Sequence, residues 1–280
     1  MALKDFIELT RPSNVLLAVL AVILTFFVSK GIFFSFFVTL PAIICVGCIT
    51  AAGNVANDYY DIKIDKVNRP GRPLPSKRVS LKNAKAFAAF LFAIGVFSSL
   101  FLPLICVLIA VSNSLLLVVY AYLLKRSGFL GNILVSYMIA SLFIFSAAIT
   151  SSMLIGAFLA VSAFLVSTAR EVLKDMEDVR GDKVGGARTL ATERGRKKTE
   201  FIVISFLLLA ILFSPVPFLA GFFSVWYLAV ALAADALFIR VIFQMSKSSI
   251  RIDRAQAKLL NFGLVVLMFA FFAGAISLVI

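Results

Sequence analysis

Nine apolar stretches, each close to the length needed to cross a bilayer, dictate what this chain of 280 residues can fold into. The hydrocarbon layer is ~30 Å thick and takes about 20 helical residues to span. Inside it every backbone N–H and C=O needs an internal partner, which leaves helices as the solution for stretches of this length. The stretches run approximately from Ser13 to Ser29, Phe33 to Ala56, Ala84 to Leu102, Pro103 to Leu124, Phe129 to Ile149, Met153 to Thr168, Phe201 to Ala220, Phe222 to Phe243 and Leu259 to Ile280. The division at Pro103 rests on proline's fit to the first turn of a helix. Only 15% of the residues are charged, against about 25% in a soluble domain, so a soluble helical bundle is set aside. The expected fold is all-α, a single membrane-embedded domain over residues 1–280.

The N-terminal MALKDFIELTRPSN is a short amphipathic segment carrying Asp5 and Glu8, which predicts no cleavable signal peptide. With nine spans, one face of the membrane receives the N-terminus and the connections after spans two, four, six and eight. Every Lys and Arg except Lys30 belongs to that face. Short cytoplasmic loops carry such an excess, so the N-terminus and these loops are expected in the cytoplasm of a multi-pass cell-membrane protein. The net charge of +13 is then a topology signal. It requires no nucleic acid, and it favours anionic headgroups or an anionic substrate at that face.

The acidic residues are equally one-sided: of 14, only Asp235 lies well inside a span. A charge that deep should face the bundle interior. Two segments, 57–83 and 170–200, hold most of the others, and the two resemble each other. The first reads D-YYD-IKID-KVNRPGRPLPSKR from Asp58, the second D-MED-VRGD-KVGGARTLATER from Asp175. Asp61 and Asp65 match Asp178 and Asp182 at a constant offset of 117 residues, and beyond one deletion Arg72 and Leu74 match Arg188 and Leu190. We read this as an internal duplication.

Asn57, Asp61 and Asp65 fall at i, i+4 and i+8, one helical face. Glu171, Asp175, Asp178 and Asp182 make a second stripe, with Gly181 loosening its last turn. Like charges at these spacings destabilise a helix, so something positive must offset them twice. One solution is ion pairing with Lys63, Lys66, Lys174 and Lys183. The other is a divalent metal: hard carboxylates with no imidazole available (the chain has no His) suit Mg²⁺ and not zinc. Arg69, Arg72, Arg188 and Lys125 stand on the same loops, and guanidinium forks bind phosphate bidentately. Carboxylates, Mg²⁺ and Arg/Lys together suit a diphosphate on which charge develops. At the mouth of an apolar bundle, the fitting substrate is an amphiphile such as a prenyl diphosphate. Cys45, Cys48 and Cys106 lie in apolar runs and read as packing residues, with no disulfide framework implied.

The N-D-x-x-D-x-x-x-D run at Asn57–Asp65, the RPxRPLPS that follows, the second D-x-x-x-D at Asp178–Asp182 and the TRP at Thr10–Pro12 resemble the UbiA superfamily of intramembrane prenyltransferases, over nearly the whole chain. The resemblance implies that Asn57, Asp61 and Asp65 hold one Mg²⁺–diphosphate contact and Asp178 and Asp182 the other. It makes Asp58 and Asp175 supporting or alternate ligands. Arg72, Lys125 (in YAYLLKR) and Arg188 would bind the diphosphate, and Arg11 either meets the acceptor's phosphate or braces the interface. The segment REVLKDMEDVRGDKVGGARTLA looks most like archaeal ether-lipid members of the family. That implies transfer of a geranylgeranyl group from its diphosphate to the free hydroxyl of geranylgeranylglyceryl phosphate. An aromatic, haem or chlorin acceptor is the alternative. A transporter would carry its acids near the bilayer midplane, and an alcohol phosphatidyltransferase would carry D-G-x-x-A-R, which is missing. Oligomeric state has no signature in the sequence.

Overall fold

The computed structural model describes residues 2–30, 35–62, 65–66, 69–123, 127–185, 189–247 and 254–276, with the backbone alone at 30, 178, 180–185, 247, 254–255 and 276. Among the described residues there is no strand. The helices are α1 (Leu3–Thr10), α2 (Pro12–Lys30), α3 (Phe36–Tyr60), α4 (Leu81–Ser99), α5 (Leu104–Tyr122), α6 (Phe129–Thr150), α7 (Met153–Gly185), α8 (Leu190–Glu193), α9 (Gly195–Phe213), α10 (Val216–Leu219), α11 (Val225–Lys247) and α12 (Arg254–Ile276). Nine of them are long and apolar enough to cross a membrane: α2 to α7, α9, α11 and α12. Local signals set their ends. Ser35 Oγ accepts from the Phe37 N–H at 3.3 Å and Ser80 Oγ from the Asn83 N–H at 3.2 Å, capping α3 and α4. Pro103 stands at the N-cap of α5, so the expected division there holds.

The sixth span departs from expectation. The apolar run stops near Thr168, but α7 continues to Gly185, carrying the second acidic stripe on the same helix. Segment 170–185 is therefore helix and not loop, and Gly181 does not end it. The seventh span is displaced likewise: α9 opens at Gly195, inside what reads as a polar loop, because charged residues are tolerated in the turn that leaves the membrane.

The duplication is visible in the helix register. α2 and α3 begin 117 residues before α6 and α7, the same offset that relates the acidic motifs. Each motif thus sits at the end of the second span of its half. α3 packs on α2, α4 and α5; α7 packs on α6, α9 and α12; α12 also packs on α11 and on α2, which joins the last span to the first.

Small residues let these helices approach closely, as membrane bundles require. A Cβ added at Gly156 on α7 would sit 2.2 Å from Ala147 Cβ and 3.0 Å from the Phe143 carbonyl oxygen, both on α6. Neither is the movable tip of a side chain, so Gly156→Val must separate the two helices. Overpacking of this kind costs about 1–3 kcal/mol. The expected result is an apparent Tm several degrees lower in a detergent melt, and an unchanged Tm would contradict the close approach.

Asp235 does face inward, at 5% exposure. Its Oδ2 accepts a hydrogen bond from Ser214 Oγ at 2.5 Å, and the Tyr227 hydroxyl donates to the Ser214 carbonyl at 2.7 Å. Ser214 follows α9 at the end away from the motifs, so this cluster ties α9 to α11 and lies outside the carboxylate site. The cysteines are free and Cys45 and Cys106 are buried, in keeping with packing.

Candidate active site

The first motif is built at the C-terminus of α3. Asp58, Asp61 and Asp65 are all buried, at 3%, 9% and 6% exposure. Burial of this kind requires compensation, and for Asp58 and Asp65 it comes from arginines. Arg72 Nη1 donates to Asp58 Oδ1 at 3.0 Å and to Asp65 Oδ2 at 2.7 Å. Arg11 Nη2 donates to the same Asp58 oxygen. Lys66 is exposed, and Lys63 lies outside the described residues.

Arg11 reaches Asp58 because the chain turns sharply at Thr10–Pro12. Arg11 takes φ 50° and ψ 73° as the C-cap of α1, in the left-handed region that costs a non-glycine residue energy. The α conformation is disfavoured before Pro12, and proline is suited to the first turn of α2. The corner is held by Asn54 on α3, whose Nδ2 donates to the Thr10 carbonyl at 2.8 Å. Arg78 ties the loop beyond the motif to α1, donating to Glu8 at 2.9 and 3.2 Å, to Asp5, and to the Gly71 carbonyl at 2.7 Å. The hydrogen bonds to Glu8, foremost, and to Asp5 raise the Arg78 pKa above its usual value.

The second motif lies along α7. Asp175 Oδ2 accepts from Asn132 Nδ2 at 2.7 Å. Glu171 pairs with Arg170 at 2.7 Å and more loosely with Lys174 at 3.9 Å. Asp178 and Asp182 continue the same helix, with side chains outside the described residues, and Lys125 and Arg188 lie outside them altogether.

Asp58 and Asp175 are repeat-equivalent, and each is held from the start of the span before its motif helix. Arg11, at the head of α2, holds Asp58; Asn132, in the first turn of α6, holds Asp175. The two halves use the same architecture with different chemistry, a guanidinium in one and a neutral amide in the other.

Tyr120, half-buried near the end of α5, lies within electrostatic reach of Glu171, Asp175 and Asp61. In YAYLLKR, Lys125 stands out as a phosphate ligand and nothing in the sequence marks Tyr120. Asn132 is also outside the motifs, and its signal is a lone polar residue in an apolar span, which needs a partner inside the bundle.

Among the described residues no three Asp, Glu, His or Cys side chains gather as a metal site by themselves. The donors present nonetheless fit Mg²⁺. Asn57 Oδ1 is buried without a hydrogen-bond partner beside Asp58 and Asp61. An orphaned buried amide oxygen is costly, and a hard neutral oxygen beside carboxylates is an ordinary donor for Mg²⁺.

Nine candidate spans among the described residues, with acidic motifs at the ends of two of them, define a polytopic membrane protein. Its family follows from comparison: the chain belongs to the UbiA prenyltransferase family, whose sequence profile matches residues 15–266, and it is a prenyltransferase. It is 38% identical over 277 residues to the digeranylgeranylglyceryl phosphate synthase of Methanothermobacter thermautotrophicus, covering 98% of this chain and 96% of that one. It superposes with a TM-score of 0.87 on a solved structure described as digeranylgeranylglyceryl phosphate synthase in membranes, at 32% identity over 98% of this chain and 99% of the other. A UbiA homologue from Archaeoglobus fulgidus, solved with DMAPP and Mg²⁺, shares the fold at TM-score 0.72 and 14% identity, over 97% and 99% of the two chains.

Proposed function

We propose that this chain is one multi-pass cell-membrane domain, N-terminus and site toward the cytoplasm, that transfers a geranylgeranyl group from geranylgeranyl diphosphate to the free hydroxyl of geranylgeranylglyceryl phosphate. In that reaction the allylic C–O bond to the diphosphate breaks. The acceptor oxygen forms an ether bond to the freed carbon and loses its proton, and diphosphate leaves. The observation that carries this reading is the group of three buried carboxylates at the end of α3, Asp58, Asp61 and Asp65, with the neighbouring Asn57 Oδ1 left without a hydrogen-bond partner, which gives an anionic headgroup with its metal a set of oxygen donors at the end of an apolar helix. The acceptor follows from the relatives' name.

Asn57, Asp61 and Asp65 on one side and Asp178 and Asp182 on the other would hold Mg²⁺, which when bound neutralises charge on the departing diphosphate. Asp58 and Asp175 brace those ligands, Asp58 with Arg11 and Asp175 with Asn132. Arg72, Lys125 and Arg188 bind phosphate oxygens. Arg72 does so while its Nη1 holds Asp58 and Asp65, so it serves both ligand geometry and substrate. The apolar interior takes the isoprenoid tail and keeps water from the allylic cation. No general base is assigned.

A mass-spectrometric transfer assay on detergent-purified protein tests the reading. With Mg²⁺, both substrates should give doubly prenylated glyceryl phosphate, and EDTA should abolish the product. Diphosphate release without that product would move the acceptor to another class. No interaction with the prenyl diphosphate would overturn the reading.

A further inference from the structure

The loop that follows the second motif leads into a pocket that shares no lining residue with the carboxylates. Its volume is about 330 Å³, and it is lined by Leu190, Arg194, Lys197, Lys198, Phe201 and Ile202. Arg194, Lys197, Lys198 and Phe201 follow one another at i, i+3, i+4 and i+7, so they occupy one face at the start of α9. The opposite face is neutralised, since Arg196 donates to Glu200 at 2.5 Å. The three pocket cations are in no ion pair among the described residues, although a segment this basic could easily have carried matched acids. One turn beyond them the same face becomes apolar, and Phe201 is 71% exposed.

Cations at the membrane boundary, followed along one helix by exposed apolar side chains, are complementary to an amphiphile with a phosphate head and a hydrocarbon chain. A soluble anion would use the cations and leave Phe201 and Ile202 without a purpose. Basic pockets at this depth bind anionic lipid headgroups, each Lys or Arg adding to the attraction. We propose that this pocket holds the phosphate headgroup of an anionic bilayer lipid, with one lipid chain lying along Phe201 and Ile202. Leu190 forms one wall while its side chain is buried in the core. It belongs to α8, which the Thr189–Thr192 capping box opens after the second motif. A lipid seated here therefore steadies α8, the helix that follows the second motif in the chain, and transfer rises with the anionic lipid content of the bilayer.

Native mass spectrometry of the full chain in detergent, titrated with phosphatidylglycerol, reads this site without relying on transfer. The R194Q/K197Q/K198Q variant should bind its first lipid roughly 10- to 100-fold more weakly than wild type. K197R/K198R should bind like wild type, and so should R196Q on the opposite face, which also controls for folding. Equal affinity in the triple variant and wild type would overturn the proposal. Displacement of the lipid by millimolar inorganic phosphate would reassign the pocket to free phosphate. Displacement by geranylgeranylglyceryl phosphate at comparable concentration, with a raised acceptor KM in the triple variant, would reassign it to the acceptor. In phosphatidylcholine vesicles the triple variant should match wild type in activity, and added phosphatidylglycerol should stimulate wild type alone.

Discussion

Asp61→Ala is expected to lower transfer by roughly a thousandfold or more, on the scale seen when a preorganised electrostatic contact to a developing charge is removed. Asp61 ends α3, its backbone N–H bonded to the Asn57 carbonyl at 3.0 Å, and it is buried close in sequence to Asn57 and Asp58. Alanine keeps the helix end and removes a carboxylate from the proposed Mg²⁺ set. Asp61→Asn keeps the shape and loses the charge, and it should fail nearly as badly, which separates a charge requirement from a packing one. Asp178→Ala, its repeat-equivalent, should behave the same way. The measurement is single-turnover formation of the prenylated product, with circular dichroism and detergent melts to establish folding. A well-folded Asp61→Ala protein with full turnover would remove the first motif from the chemistry.

The fold was legible because membrane physics leaves few options: nine apolar runs gave nine spans, and the distribution of Lys and Arg gave one face a distinct character. What failed was the assumption that a helix ends where its hydrophobicity does. α7 carries Arg170, Glu171 and Lys174 past its apolar run, because those side chains satisfy one another and Asn261. The acidic spacing had already indicated a helix there, and the hydropathy had hidden it. The repeat offset of 117 was the strongest signal of the site, since it picked out matched positions without any structure. The partners of those acids were less legible. Arg72 is seven residues from Asp65 but Arg11 is 47 from Asp58, and contacts across such separations depend on how α1 and α2 fold against α3. Neighbouring lysines offered a local explanation, whereas the partners seen for Asp58 and Asp65 are arginines.

Arg72 has the second large effect. Its guanidinium is 18% exposed while the Asp58 and Asp65 side chains are 4% and 8% exposed, so one cation compensates two buried carboxylates. Arg72→Ala leaves Asp65 without that bond and Asp58 with Arg11 alone. A stability loss of about 3 kcal/mol is expected, the low end for breaking a buried pair, since Arg72 keeps some contact with water. Arg72→Lys is the more informative change. A single ammonium carries the charge but lacks the rigid planar group that holds Nη1 between Asp58 Oδ1 and Asp65 Oδ2, so the protein should fold with Asp65 poorly oriented. Weakening such support around a metal typically costs 10- to 100-fold in affinity or activity. The Mg²⁺ concentration for half-maximal transfer should therefore rise at least about tenfold, with much of kcat restored at saturating metal. Direct contact with the substrate alone would give the opposite pattern, a raised KM for the prenyl diphosphate at unchanged Mg²⁺ dependence. Because Nη1 is engaged by the carboxylates and the proposal has the rest of the guanidinium meet substrate, both parameters should move, the Mg²⁺ dependence by the larger factor. If neither moves, Arg72 holds the loop together and takes no part in the site.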